Sequence, residues 1–134
     1  MKGVYWIPHV PHTEVPRYYQ MADVLVTPSI GPEAFCLVNV EGMATDLPVV
    51  SVKTGGIPEV LEDGVSGVLV TKVYLIKRLA NACIDLFDDP QRMRELGLVA
   101  RMHVETYYRW ELVAKRFHNV YQQLMRQTTI NATG

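Results

Sequence analysis

Two glutamates, Glu33 and Glu41, are the residues of this chain whose type and spacing first suggest chemistry. Glu33 lies in a predicted loop before a helix, and Glu41 lies about 12 Å further along that helix at 1.5 Å per residue. This separation is too large for acid–base catalysis on one bond, but it suits the two ends of an extended ligand. Carboxylates accept hydrogen bonds from sugar hydroxyls, and free amides in the first turn of a helix donate to phosphate. The pattern fits a ligand that carries a sugar, a diphosphate and a ribose in that order.

The elements that would position these glutamates alternate between strands and helices. Short runs rich in β-branched residues predict strands, each of the first three followed by a helical segment, at 4–7, 23–28, 48–52 and 67–70. This order predicts an α/β fold, a Rossmann-like parallel sheet of about four strands with flanking helices and three closing C-terminal helices. Ligands of such sheets bind beyond the carboxyl ends of the strands, so we expect the site in the loops after Ile7, Val26 and Val52.

Local signals predict where several helices begin and how they pack. Thr13 is expected to cap a short helix that contains Pro16, and Asp89 to cap a helix that starts at Pro90. The helix after Glu33 is predicted over residues 34–45. Trp110 is expected to anchor the last helix in the core.

Composition excludes several classes of protein. The chain has 134 residues, 49% hydrophobic and 20% charged, which is one globular domain, predicted over 1–126 with a disordered tail at 127–134. A formal net charge of −1 provides no general basic surface for nucleic acid. No apolar run reaches the length of a membrane span, and two cysteines, Cys36 and Cys83, favour a reducing cytoplasm.

The central segment resembles a known family of enzymes. Residues 28–70 read PSIGPEAFCLVNVEGMATDLPVVSVKTGGIPEVLEDGVSGVLV. The matching pieces are PS before a loop, the Glu-x7-Glu spacing, PVV on a strand, GGIPEV, and D-G-x-x-G-x-L-V. In this order they resemble the later part of the C-terminal donor-binding domain of a family 4 retaining glycosyltransferase of the GT-B fold. The resemblance extends over most of residues 4–125.

The resemblance implies a reaction and the residues that carry it. The reaction is transfer of a hexosyl-type unit, with retention of configuration and without a metal or other cofactor, from a UDP-, GDP- or ADP-sugar to a glycan, lipid or other acceptor. Polysaccharide biosynthesis is a common setting of the family. Glu33 would be the catalytic residue at the donor sugar, and Glu41 would hold the ribose hydroxyls. The donor would be bound by Glu33, Ala34, Phe35, Cys36, Leu37 and Glu41.

Four further residues near the predicted site have alternative explanations. Gly55 and Gly56 are expected to serve turn geometry first and ligand contact second. Ser29 is expected to make local capping bonds or to touch the donor. His9 is a candidate to face the acceptor; with His12 it straddles a Pro-rich loop, but no third metal ligand is evident.

Three positions depart from the family pattern. Cys36 and Asp46 stand where the family usually has Gly, and Gly42 stands where Ala is usual. We expect Cys36 to crowd the donor or to require a different backbone geometry, and Asp46 to tolerate a left-handed turn.

The family's acceptor-binding N-terminal domain has no counterpart in this chain. We therefore expect a fragment that does not transfer sugar alone, with homo-association through uncovered apolar surface and peripheral membrane association in the full-length protein. The alternatives are a sugar-nucleotide epimerase or phosphorylase of the same fold, or a degenerate, non-catalytic interaction module.

Overall fold

A computed structural model describes residues 2–132 of the chain, and the side chains of residues 2–127. Helices and strands alternate at first and are followed by three long helices. The elements, in chain order, are α1 Val15–Met21, β1 Leu25–Thr27, α2 Leu37–Met43, β2 Val49–Val52, α3 Ile57–Val60, β3 Val68–Val70, α4 Leu75–Asp88, α5 Pro90–Tyr107 and α6 Trp110–Ala132.

The three strands form one parallel sheet in the order β1-β2-β3. Val26 lies opposite Val50, and Val50 lies opposite Val68. All four residues of the central strand are buried, which confirms the prediction from its apolar run of a strand covered on both faces. The loops after β1 and β2 therefore leave the same edge of the sheet.

Alternate residues of β2 supply two separate cores. Val50 and Val52 pack with Ala82 and Leu86 of α4 on one face. Val49 packs on the other face with Met43 of α2 and with residues of α5, Ala100 and Val104. Because successive side chains of a strand point to opposite faces, helices are needed on both sides of this sheet.

The predicted first strand is not formed, so the sheet has three strands instead of about four. The segment 4–7 has no regular structure, and its Tyr5 and Trp6 side chains are 88% and 90% exposed. A β-prone run becomes a strand only when a neighbouring backbone satisfies its amides and carbonyls. None of the described strands pairs with this segment.

Several helix boundaries differ from the predicted ones. Helix α2 begins at Leu37 instead of residue 34, because Cys36 has a left-handed backbone (φ 62°) that a right-handed helix cannot include. Thr13 does not cap α1; the N-cap is Glu14, which makes no side-chain capping bond. The Asp89 prediction is confirmed, since its carboxylate accepts from the Arg92 amide at 3.0 Å.

The last helix departs most from expectation. Trp110 is 79% exposed, so it is not a core anchor, and Phe117 and Tyr121 on the same helix are also mostly exposed. Within the described part of the chain, no element covers this apolar stripe. Helix α6 ends at Ala132, so its last residues overlap the segment 127–134 for which a disordered tail is predicted. Residues 133 and 134 lie outside the described residues.

Candidate functional site

The loop after β1 carries Glu33 and is attached to the loop after β2. The Ser29 hydroxyl donates to Oε1 of Glu33 at 2.9 Å. The Gly56 amide donates to the Glu33 carbonyl oxygen at 2.7 Å, and the Thr54 hydroxyl donates to the Gly31 carbonyl oxygen at 3.3 Å. Both the carboxylate and the backbone of Glu33 are thereby held at the carboxyl edge of the sheet, as predicted for the loops after Val26 and Val52.

Gly55 and Gly56 are required by close packing against that loop as well as by turn geometry. Gly55 has φ +53°, and a β-carbon there would lie 2.1 Å from the Glu33 carbonyl oxygen. A β-carbon on Gly56 would lie 2.1 Å from the Ala34 carbonyl oxygen. The turn expectation is confirmed for Gly55, and the pair also sets the position of Glu33. Sequence reasoning did not foresee this contact.

The residues after Glu33 lead into α2 through the left-handed Cys36. Ala34, Phe35 and Leu37 are exposed, whereas Cys36 is half-buried. The Phe35 ring contacts Tyr108 edge to face at a centroid distance of 5.5 Å. Burial raises the pKa of the Cys36 thiol, and the nearby Glu33 carboxylate raises it further. The thiol is therefore held in its protonated form near neutral pH, which does not favour a nucleophilic role.

Glu41 lies on α2 and faces α1. The Tyr19 hydroxyl donates to Oε2 of Glu41 at 2.9 Å, and Nε2 of His12 lies 3.1 Å from Oε1. The Glu41 side chain is 32% exposed, so a ligand can still reach it. Burial, and then the hydrogen bond to Glu41, raise the pKa of Tyr19 to about 12.

A buried ring of polar side chains joins β1, β2 and α2 beneath the site. Thr27 donates to Oδ1 of Asn39 at 2.9 Å, and Nδ2 of Asn39 donates to the Ser51 hydroxyl at 3.2 Å. The Thr27 and Ser51 hydroxyl oxygens are 2.7 Å apart. Because each hydroxyl carries one proton, a closed ring is completed when Ser51 donates to Thr27. The ring sets the position of α2, and hence of Glu41, relative to the strand ends.

The three departures from the family pattern have local explanations. Asp46 has φ +60° in the turn after α2, as its tolerance of left-handed geometry predicts. A β-carbon on Gly42 would lie 2.6 Å from Cδ2 of Leu25, so glycine suits the close packing of α2 on β1. Cys36 takes the left-handed geometry for which glycine is usual, at the cost of backbone strain.

Sequence reasoning did not identify which side chains contact the two glutamates. Ser29, which is expected to make local capping bonds or to touch the donor, donates its hydroxyl to the Glu33 carboxylate. The spacing of four residues permits this bond but does not by itself predict it. His12 and Tyr19 were not singled out for Glu41, and no local sequence signal points to them. Among the described residues, no hydrogen bond joins His9 to either glutamate. No group of three or more potential metal-ligating side chains occurs in that same part of the chain.

A parallel sheet with helices on both faces, and a loop carboxylate at the carboxyl edge of its first strand, defines a Rossmann-like α/β unit. Residues 1–102 match the family described as "Glycosyl transferases group 1". The chain belongs to this family.

Individual relatives agree with that assignment. The chain is 32% identical over 120 residues to spore coat protein SA of Bacillus subtilis (strain 168), covering 90% of this chain and 32% of the relative. Sucrose-phosphate synthase from Thermosynechococcus elongatus superposes with a TM-score of 0.84 at 32% identity, covering 92% of this chain and 30% of that chain. The Anabaena protein HepE, solved in complex with UDP-glucose, superposes with a TM-score of 0.77 at 26% identity, covering 82% and 30%.

The chain thus spans about a third of the length of the relatives it matches. In the described part of the chain, no helix is both long enough and apolar enough to cross a membrane.

Proposed function

We propose that this chain is the nucleotide-sugar donor-binding portion of a retaining glycosyltransferase, in the later part of its C-terminal domain. The observation that carries the proposal is that two carboxylates, one in the loop after β1 and one on the helix that follows it, are each held by their own donor, Glu33 by Ser29 and Glu41 by Tyr19. Support comes from the similarity to HepE, which was solved with UDP-glucose.

In this proposal each carboxylate reads one end of the donor. Glu33 accepts hydrogen bonds from hydroxyls of the sugar and acts as the catalytic residue, and Glu41 accepts from the ribose. The backbone from Ala34 to Leu37 lies between them and faces the diphosphate. Fixed contacts of this kind stabilise charge as the nucleoside diphosphate leaves, without a metal.

The proposal extends to the longer protein. An N-terminal acceptor domain would complete the active site in the cytoplasm, and the isolated chain would not transfer sugar. The exposed apolar stripe of α6 would be covered there or by homo-association. If the acceptor is a lipid, the full-length protein would reach it by peripheral association with the membrane.

A titration of the 134-residue chain, followed by amide NMR shifts, tests the donor site. UDP, GDP and ADP are compared first, and then the sugar conjugate of the nucleotide that binds. Glu41→Gln should weaken binding of nucleotide and nucleotide-sugar alike, by about tenfold for a lost charged hydrogen bond. Glu33→Gln should weaken only the nucleotide-sugar, because Glu33 faces the sugar.

Glu95→Gln, an exposed carboxylate on α5, serves as the matched control. Equal binding by all three variants would refute the assignment of the two glutamates. A folded chain that binds no nucleotide would instead favour a non-catalytic module, for which the strained Cys36 at the centre of the site is the specific observation. Epimerase or phosphorylase activity is separated from transfer by analysing the products of the full-length protein.

A further inference from the structure

Helix α1 and the loop before it supply both contacts to the Glu41 carboxylate. The Tyr19 hydroxyl donates to Oε2 at 2.9 Å, and Nε2 of His12 lies 3.1 Å from Oε1. Tyr19 is half-buried, whereas the His12 side chain is 84% exposed. Contacts made in water contribute little, so Tyr19 is the stronger of the two.

With Tyr19 and His12 bound, the Glu41 carboxylate can still accept hydrogen bonds from a ligand. A carboxylate offers about four lone-pair positions, two on each oxygen. Tyr19 occupies one on Oε2 and His12 one on Oε1, so one position on each oxygen remains for a pair of neighbouring hydroxyls. A glutamate on a helix surface otherwise samples several rotamers, and one hydroxyl bond from a packed tyrosine selects a single one.

We propose that Tyr19 is a positioning residue that holds the Glu41 carboxylate in the orientation needed to bind the two ribose hydroxyls of the donor nucleotide. This inference rests on the proposed function. It gives α1 a role in distinguishing ribonucleotides from 2′-deoxyribonucleotides. Tyr19 acts through Glu41 and does not itself touch the ligand.

The surroundings of the pair agree with this role. A cavity of about 200 Å³ beside the carboxylate is walled mainly by apolar side chains, among them Val15, Pro16 and Ala44. Hydrogen bonds in such surroundings are stronger than in open water. The Tyr19 phenol is protonated, and hence a donor, throughout the physiological range, because its pKa is raised from an ordinary value of 10.0 to about 12.

The test compares UDP with 2′-deoxy-UDP on the 134-residue chain and its variants, or the corresponding pair for whichever nucleotide binds. Wild type should bind the ribonucleotide about tenfold more tightly, because a site built for a hydroxyl rejects a ligand without it. Tyr19→Phe, which keeps the ring, should reduce that preference to about threefold or less. Tyr18→Phe removes a hydroxyl from the same helix without touching Glu41, and should retain the wild-type preference.

The ratio of the two affinities is measured within each variant, so a general loss of stability does not imitate the effect. A preference that disappears in Glu41→Gln but persists in Tyr19→Phe would overturn this inference and leave the donor-site proposal standing. A wild-type chain that binds no nucleotide would overturn both. A wild-type chain that binds both forms equally would overturn this inference and the assignment of Glu41 to the ribose, and would leave nucleotide binding itself standing. A preference lost in Tyr19→Phe and kept in Tyr18→Phe supports both.

Discussion

The Gly56 amide donates to the Glu33 carbonyl oxygen over 2.7 Å, at a point where Gly56 has no room for a side chain. The loop that bears the proposed catalytic carboxylate is therefore held by the turn after the next strand. Glu33 is positioned through its backbone by Gly56 and through its side chain by Ser29. Substitutions on either side of this contact should report on both stability and binding.

Gly56→Ala should displace the Glu33 loop, because the new β-carbon would lie 2.1 Å from the Ala34 carbonyl oxygen. We expect a loss of about 1–3 kcal/mol in the free energy of unfolding, as for other overpacked sites, measured by urea denaturation. Gly31→Ala, in the same loop but with open space around its β-carbon, should change stability by less than about 0.5 kcal/mol. Equal effects of the two substitutions would contradict the close-packing explanation.

Cys36→Gly should stabilise the chain by about 1 kcal/mol, because it removes the strain of a left-handed non-glycine residue at φ 62°. The measurement is again the free energy of unfolding in urea. Cys36→Ala deletes the thiol but keeps the β-carbon, so it should give no such gain. If alanine stabilised as much as glycine, the thiol and not the backbone would be the source of the strain.

Asn39→Ala should cost about 3 kcal/mol of unfolding free energy, because it leaves two buried hydroxyls, those of Thr27 and Ser51, without their amide partner. Asn81→Ala on α4, an exposed position, is the matched control and should be close to neutral. A loss below about 1 kcal/mol at Asn39 would mean that water replaces the missing partner.

Gly97→Ala should destabilise the chain, although alanine is the better helix former. Its β-carbon would lie 2.0 Å from the Asp46 carbonyl oxygen, where α5 crosses the turn after α2. We expect a loss of about 1–3 kcal/mol in place of the gain of about 1 kcal/mol seen at open helix sites. Thermal unfolding followed by circular dichroism would decide the sign.

The Tyr19–Glu41 pair predicts a change in stability at high pH. The pKa of Tyr19 is raised from 10.0 to about 12 in the folded chain. A group whose pKa is raised by folding contributes stability below its unfolded pKa and loses that contribution as pH rises through the folded value. The free energy of unfolding should therefore fall between about pH 10 and 12.

Urea denaturation across that interval measures the slope, with ultraviolet absorbance of the phenolate to report the titration. Tyr19→Phe should lower the slope, and Tyr18→Phe, which removes a hydroxyl from the same helix, serves as the matched control. An unchanged slope in Tyr19→Phe would show that other groups dominate the dependence on pH.

Much of the architecture could be predicted from local patterns. The apolar run at 48–52 predicted a strand buried on both faces, and β2 is completely buried. Asp89-Pro90 predicted a helix start that the capping bond to Arg92 confirms. The same reasoning failed at 4–7 because β-propensity is local whereas strand formation requires a partner backbone, and it failed at residue 34 because the φ angle of Cys36 cannot be read from its side chain type.

What the sequence by itself determined is the alternation of strands and helices, the place of Glu33 before α2 and of Glu41 on it, and the ordered motifs of the family. Only the tertiary structure decided which groups hold those carboxylates. Tyr19 and Glu41 are 22 positions apart and meet through the packing of α1 on α2, and Gly56 reaches Glu33 because parallel strands end at one edge. The physical reason is one of distance: spacing along a chain sets periodicity and local geometry, but a hydrogen bond of about 3 Å between remote residues depends on how whole elements pack.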